Sequence, residues 1–146
     1  MSSLSYIHDG YTQDGYIAAV PRLHGALRFA YRPTLVEERS QLVDVASRLR
    51  AQLYDRHLAA FVADKLISWD LSDGSGVDVP VAAESILRLQ PELFAKLHRI
   101  VLGRAASDVD PTWPTEAESR LFEAESEAAL NGRTIGELRE EHDEKN

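Results

Sequence analysis

The sequence predicts an α+β fold, and three patterns in it support that class. Two segments alternate like β-hairpins, one long segment has the apolar spacing of a helix, and two shorter helical segments follow it. Of the 146 residues, 44% are hydrophobic, which is enough for one domain with a buried core. There is no cysteine, so a disulfide framework and thiol chemistry are excluded.

The first predicted element is a β-hairpin made of Tyr16–Val20 and Ala26–Arg32. In its second strand, Leu27, Phe29 and Tyr31 alternate with polar or small residues, so the three apolar side chains share one face. Two arginines lie on the opposite face. We therefore expect a strand with one buried and one solvent-exposed side.

A long helix is predicted next. Thr34-Leu35-Val36-Glu37 has the pattern of a capping box, and no Gly or Pro follows before Ser68. The simplest interpretation is one helix of roughly thirty residues, about 45 Å long. Its apolar surface is wider than a single stripe, so we expect it to bury two sides, one against its own domain and one against a partner or a second copy.

A second hairpin is predicted from Ile67–Leu71 and Val77–Val81, joined by a turn of Ser, Asp and Gly. Two shorter helices, Ala83–Leu89 and Pro91–Leu102, should complete the core. The predicted fold is therefore two β-hairpins, forming a small antiparallel sheet, packed on one long and two shorter helices.

The predicted domain spans residues 1–104 and is followed by a linker at 105–114, where Ala, Ser, Asp and Pro dominate. Residues 115–146 are predicted to form a mobile, acidic helical arm that opens with a second capping box. Leu121 and Phe122 are its only large apolar residues before Leu130, so it is too polar to fold alone.

Charge is distributed unevenly along the chain. The net charge is −8, and the segments 1–66, 67–106 and 107–146 contribute +1, −1 and −8. An acidic C-terminal segment repels phosphate backbones, which argues against nucleic-acid binding. No signal peptide or membrane-spanning stretch is recognisable, so we expect no membrane association and a cytoplasmic location.

Residues that could carry chemistry do not form a known motif. The five histidines are scattered without metal-ligand spacing, and Asp70, Asp73 and Asp78 do not match the calcium-binding loop of an EF-hand. A hairpin turn explains these aspartates better. Gly74-Ser75-Gly76 fits neither a phosphate-binding loop nor a nucleophile elbow. We therefore predict no catalytic, cofactor or metal site, and a protein that works by binding other proteins.

Candidate partner-binding residues are apolar side chains on the long helix or on the C-terminal segment. Trp113 is of special interest, because a tryptophan in a polar linker has no evident core to enter and aromatic residues are enriched at interfaces. The candidates are Trp113, Leu121, Phe122, Tyr54, Leu58 and Val62. Arg22, Arg28 and Arg32 could also form a small basic patch, and ordinary solubilising charge is the alternative.

Four segments within residues 55–104 resemble small phage and prophage proteins of the tail assembly chaperone type. They are Trp69-Asp70-Leu71, Gly76 to Val81, Ile86 to Phe94 and Ile100 to Gly103. The resemblance implies a largely helical, acidic, non-enzymatic protein. It would bind the long tape-measure protein and keep it soluble while tail tube subunits assemble in the host cytoplasm.

Two other classes of function remain open from the sequence. One is a structural phage component, such as a head-tail adaptor or a minor tail protein. The other is a small regulatory or toxin-neutralising protein unrelated to phage, whose acidic arm would cover a basic partner.

Overall fold

The computed structural model describes residues 5–114 and confirms the α+β fold. The elements in chain order are β1 (Gln13–Ile17), β2 (Leu27–Tyr31), α1 (Val36–Ala46), α2 (Ala51–Lys65), β3 (Leu66–Trp69), α3 (Ala83–Ile86) and α4 (Pro91–Val101). The strands form one antiparallel sheet in the order β1-β2-β3. Described residues up to Asp110 form one compact unit, and Pro111 to Pro114 belong to a second.

The first predicted hairpin is present, with its first strand earlier in the chain than expected. β1 pairs with β2 from Gln13 opposite Tyr31 to Ile17 opposite Leu27. The chain between the strands instead forms a tight loop closed by a bridge between Val20 and His24. As predicted, Leu27, Phe29 and Tyr31 of β2 are buried, and Arg28 and the following Arg32 are exposed.

The second predicted hairpin is only partly formed. Its first strand is β3, which pairs with β2, but its return segment makes an isolated bridge between Ser72 and Asp78. A register irregularity between Ala30 and Tyr31 shifts the alternation, so Leu66 is buried and Ile67 is exposed. Trp69 was expected in the core. It is half-buried against the core, and its indole Nε1 donates to the Val79 carbonyl at 2.7 Å.

The prediction of one continuous long helix is wrong, because the helix breaks at residues 47–50 into α1 and α2. The reason lies in the sheet. Tyr31 pairs with Leu66, and the Arg32 N–H donates to the Lys65 carbonyl at 2.9 Å. The intervening segment therefore begins and ends at the same place, which a straight helix about 45 Å long could not do.

The predicted capping box at Thr34 is also wrong. The helix begins at Val36, and the carboxylate of Glu38, not Glu37, accepts from the Leu35 N–H at 2.8 Å. The Thr34 hydroxyl instead donates to the Val101 carbonyl at 2.8 Å, near the C-terminal end of α4. Thr34 therefore satisfies an orphan carbonyl of another helix.

α4 forms where the sequence placed it. Pro91 occupies its first turn, and the Gln90 side chain accepts from the Glu92 and Leu93 N–H groups. Gly103 follows its C-terminus with φ of 75°, the left-handed conformation that ends many helices. Its buried face supplies much of the core, with Leu93, Leu97, Ile100 and Val101.

Residues 105–110 are not the linker that composition suggested. They form a strap along the outer edge of β1, where the Tyr16 N–H donates to Ser107 Oγ at 2.7 Å and the Asp108 N–H donates to the Tyr16 carbonyl at 2.9 Å. Asp110 is only 1% exposed. The compact unit therefore extends to Asp110, six residues beyond the predicted domain boundary.

Candidate interaction surface

The clearest exposed apolar surface belongs to the helical hairpin formed by α1 and α2. Val36 is 77% exposed, and Val43 and Leu53 are each 50% exposed. Val36 and Val43 are seven residues apart, so they lie on the same side of α1. Single exposed apolar residues are ordinary on protein surfaces, but several on one pair of helices mark a candidate contact surface.

These side chains remain exposed because α1 packs mainly through one residue. Leu42 is the only buried residue of α1, and polar contacts supply its other attachments to the unit. The Arg39 guanidinium donates to the Leu102 carbonyl at 3.2 Å, and the Glu38 carboxylate lies against Lys65. α1 is therefore packed on one side only, and Val36 and Val43 remain exposed.

The ion pair between Glu38 and Lys65 joins the first turn of α1 to the last residue of α2. Lys65 is 6% exposed, and its Nζ lies 2.6 and 2.7 Å from the two carboxylate oxygens. Burial, which raises the pKa of Glu38, is outweighed by the bonds from Lys65 and the Leu35 N–H, so the pKa falls. With a four-residue connection at the other end, this contact makes the two helices antiparallel neighbours.

A second polar cluster lies on the sheet around Arg28. Its Nε donates to Asp110 Oδ2 at 2.7 Å, its Nη1 lies 3.7 Å from Asp70, and its guanidinium stacks 5.1 Å from the Tyr16 ring centre. The bond to Asp110 is the main cause that raises the pKa of Arg28. Arg32 makes a longer, exposed ion pair, with its Nη2 3.6 Å from Asp64 Oδ2. Of the suggested basic patch, Arg28 and Arg32 each have a carboxylate partner, and Arg22 is exposed in the loop between β1 and β2.

The aspartates of the second hairpin form a turn. Asp73 Oδ1 accepts from the Ser75 N–H, the Ser75 hydroxyl and the Val77 N–H. The Ser75 hydroxyl is the main cause that lowers the pKa of Asp73. The Asp73 carboxylate therefore stabilises the hairpin turn that the sequence predicted. Within residues 5–114, no group of three His, Asp or Glu side chains is placed to hold a metal ion.

His98 on α4 is half-buried, and its Nδ1 atom is shielded from solvent. Its Nδ1 has no hydrogen-bond partner among the described residues. Burial is the main cause that lowers its pKa, helped by Arg99 and Arg104 and opposed by Asp55. The imidazole ring centre lies 5.2 Å from that of Phe94.

The structure separates the residues predicted to bind a partner. Leu58 and Val62 are 2% and 0% exposed and belong to the core, so in this conformation they offer no surface to a partner. Tyr54 and Trp113 are half-buried. Leu121 and Phe122, together with the predicted acidic helix, lie outside the described residues.

Two of the predicted partner-binding residues, Leu58 and Val62, are part of the core of the unit. The exposed residues Val36, Val43 and Leu53 could not be separated from core residues without knowing that the helix folds back on itself.

Comparisons with known proteins do not assign this chain: no family model, no curated protein and no solved structure matches it. In the part of the chain that the structure describes, none of the helices combines the length and the apolar character needed to cross a membrane.

Proposed function

We propose that this chain is a non-enzymatic protein-binding protein whose contact surface is the outward face of the helical hairpin. The observation that carries this is the exposure of Val36, Val43 and Leu53 on two helices whose opposite sides are buried. A partner helix with an apolar face fits such a surface, because helices bind in apolar grooves and faces through residues at this spacing.

The internal pairing of the charged clusters supports the same proposal. Arg28 and Lys65 are each held by carboxylates of their own unit, at distances typical of strong charge-assisted hydrogen bonds. These groups stabilise the unit rather than face a common cleft. The apolar face of the hairpin is therefore the better candidate for contact with another molecule.

The specific role that we propose is assembly of a phage tail, in the host cytoplasm. The chain would bind the tape-measure protein reversibly and keep it dissolved until the tail tube encloses it. This step depends on the sequence resemblance at residues 55–104. The net charge of −8 over residues 107–146 supports it, because an acidic segment keeps a complex with apolar contacts soluble.

The experiment is to sequence the DNA around the gene, to co-express the full chain with the product of any long helical reading frame found there, and to measure the affinity. Replacing Val36, Val43 and Leu53 by serine should weaken binding at least about tenfold, since removing one apolar side chain from an interface costs on the order of 1 kcal/mol. The melting temperature should stay close to that of the unmodified chain, because all three side chains are at least half exposed.

The matched control replaces Ile67, Val77 and Leu87 by serine. These residues are also exposed and apolar but lie outside α1 and α2. Equal weakening of binding in both triple variants would remove the helical hairpin as the contact surface. A gene neighbourhood without a long helical reading frame would remove the tail-assembly role and leave the protein-binding role, and presence of the chain in purified virions would favour a structural component.

A further inference from the structure

We propose that two copies of this chain exchange their N-terminal segments, residues 5–46, by converting the joint between α1 and α2 into continuous helix. The partner is a second copy of the same chain. Each segment, with β1, β2 and α1, would occupy on the other copy the place that it occupies here. This exchange is independent of the protein-binding role proposed above.

The joint itself is close to helical already. Ser47 has helical torsions, with φ of −65° and ψ of −14°, and the Arg48 and Leu49 N–H groups donate to carbonyls three residues back. Arg50 is extended, with ψ of 157°. Arg and Leu are good helix formers, and the joint contains neither Gly nor Pro. A change in a few torsions would therefore join the two helices.

Joining the helices would satisfy backbone groups that the joint leaves without helical partners. Among the described residues, no side chain caps the start of α2 at Arg50. The first N–H groups of α2 therefore lack the bonds that a helix interior provides, whereas the last carbonyls of α1 already accept from the Ser47, Arg48 and Leu49 N–H groups and from the Ser47 hydroxyl. A continuous helix would add about four such bonds in each chain.

A single copy cannot make this change. Tyr31 pairs with Leu66, and the Arg32 N–H bonds to the Lys65 carbonyl, so the two ends of the helical segment are fixed together. When the helix straightens, β2 must leave β3 of its own chain. In a pair of copies, β2 of each chain can pair with β3 of the other, and the two long helices lie antiparallel.

The contacts between residues 5–46 and the rest of the compact unit would form unchanged between the two copies. They include the Glu38–Lys65 ion pair, the Arg28–Asp110 ion pair and the bond between Tyr16 and Ser107. Exchange of identical segments is a low-cost route to a dimer for this reason. The remaining cost is the entropy of association, so the dimer should form at high protein concentration.

The test uses the full chain, refolded from urea at high and at low concentration and separated by size. Ala51→Pro is the decisive variant. Ala51 is the first residue of α2 and follows an extended residue, so proline fits the observed structure, but it blocks a continuous helix through Ser47. We expect the unmodified chain to yield dimer at high concentration, and Ala51→Pro to lower the dimer yield at least about a hundredfold.

Val36→Pro is the matched control. Val36 is the first residue of α1 and follows Leu35, which has φ of −76° and ψ of 157°, nearly the torsions of Arg50. Proline there is compatible with the observed structure and with the long helix. The control should form as much dimer as the unmodified chain, which separates the joint from a general effect of proline.

A disulfide distinguishes exchange from simple association. Ala30 and Ser68 are direct partners across β2 and β3, and the chain has no cysteine of its own. In the double variant Ala30→Cys and Ser68→Cys, oxidation of the dimer should link two chains covalently, whereas oxidation of the monomer should link one chain to itself. The exchange would be overturned if oxidation of the dimer fraction linked each chain only to itself. It would also be overturned if Ala51→Pro dimerised as well as the unmodified chain, or if the unmodified chain refolded only to monomer.

Discussion

α1 and α4 have the same length, eleven residues each, but different forces hold them in place. α4 buries four apolar side chains, is capped by Gln90 and ends at a left-handed Gly103. α1 buries Leu42 alone and depends on polar contacts at its start. The position of a helix can therefore be determined by its own sequence, as in α4, or by the elements that it connects, as in α1.

This difference has a consequence for stability. Apolar burial stabilises α4 regardless of how the neighbouring chain is connected, because it depends on area removed from water. The position of α1 depends on a few hydrogen bonds and on the closure of the sheet between Tyr31 and Leu66. We therefore expect substitutions in α4 to destabilise the whole unit, and those in α1 to have smaller and more local effects.

The largest effect is expected for Leu97→Ala in α4. Leu97 is fully buried, and its removal leaves a cavity in the core, so the free energy of unfolding should fall by about 2–5 kcal/mol. Urea unfolding measures it. Val43→Ala on α1, half exposed, should change stability by less than about 0.5 kcal/mol. If the two variants lower the free energy of unfolding equally, apolar burial does not distinguish α4 from α1.

Glu38→Gln should have the next largest effect, because it leaves the buried Lys65 ammonium without its carboxylate. A fully buried pair loses about 3–5 kcal/mol when broken, and the partial exposure of Glu38 reduces this to about 1–3 kcal/mol. Glu37→Gln, on the exposed neighbour, is the control and should be near neutral.

The pH dependence of the same pair follows from its lowered carboxyl pKa. A carboxyl group whose pKa is lower in the folded state stabilises the fold above its unfolded pKa and loses that contribution as the pH falls through the folded value. The gap between the unmodified chain and Glu38→Gln should therefore close as the pH falls below about 4.5. A gap that persists at lower pH would show that Glu38 acts through packing and not through charge.

Local signals predicted α4, because Pro91, the apolar spacing and Gly103 all lie within the helix or beside it. The break between α1 and α2 could not be predicted in this way. Its cause is the pairing of Tyr31 with Leu66, which joins residues far apart in the sequence. Where the sheet fixes both ends of a helical segment, tertiary structure overrides helix propensity.

The strap was missed for a related reason. Ser107, Asp108 and Asp110 have the composition of a linker, and their roles depend on β1 and β2, which precede them by more than eighty residues. The candidate interaction surface was likewise unpredictable, because exposure on α1 and α2 is decided by the way in which they fold against each other.

Gln90→Ala tests the start of α4 and should cost about 1 kcal/mol, since the side chain accepts from two N–H groups that have no other helical partner. Urea unfolding again provides the measurement. Gln90→Asn, which keeps an amide oxygen, should recover part of the stability. If Gln90→Ala is neutral, proline at the first position is sufficient to start the helix.

Leu35→Ser tests the start of α1 and should be slightly stabilising, by about 0.5 kcal/mol. Leucine at this position has no side-chain oxygen, whereas serine would complete a capping box with Glu38, whose carboxylate already accepts from the residue 35 N–H. Leu35→Ala is the control, because it removes the same apolar surface without adding a hydroxyl. Equal stabilities for the serine and alanine variants would show that α1 gains nothing from a cap.

The smallest effect near neutral pH is expected from His98, and it should grow as the pH falls. Burial, with help from Arg99 and Arg104, lowers the pKa of His98, so the unfolded chain takes up a proton before the folded chain does. Stability is therefore complete above about pH 6.5 and declines below it. His98→Gln, which carries no titrating group, should lose less stability between pH 7 and pH 5 than the unmodified chain. If the free energy of unfolding falls equally in both proteins, His98 takes up its proton as easily in the folded chain as in the unfolded chain, and its burial on α4 carries no cost.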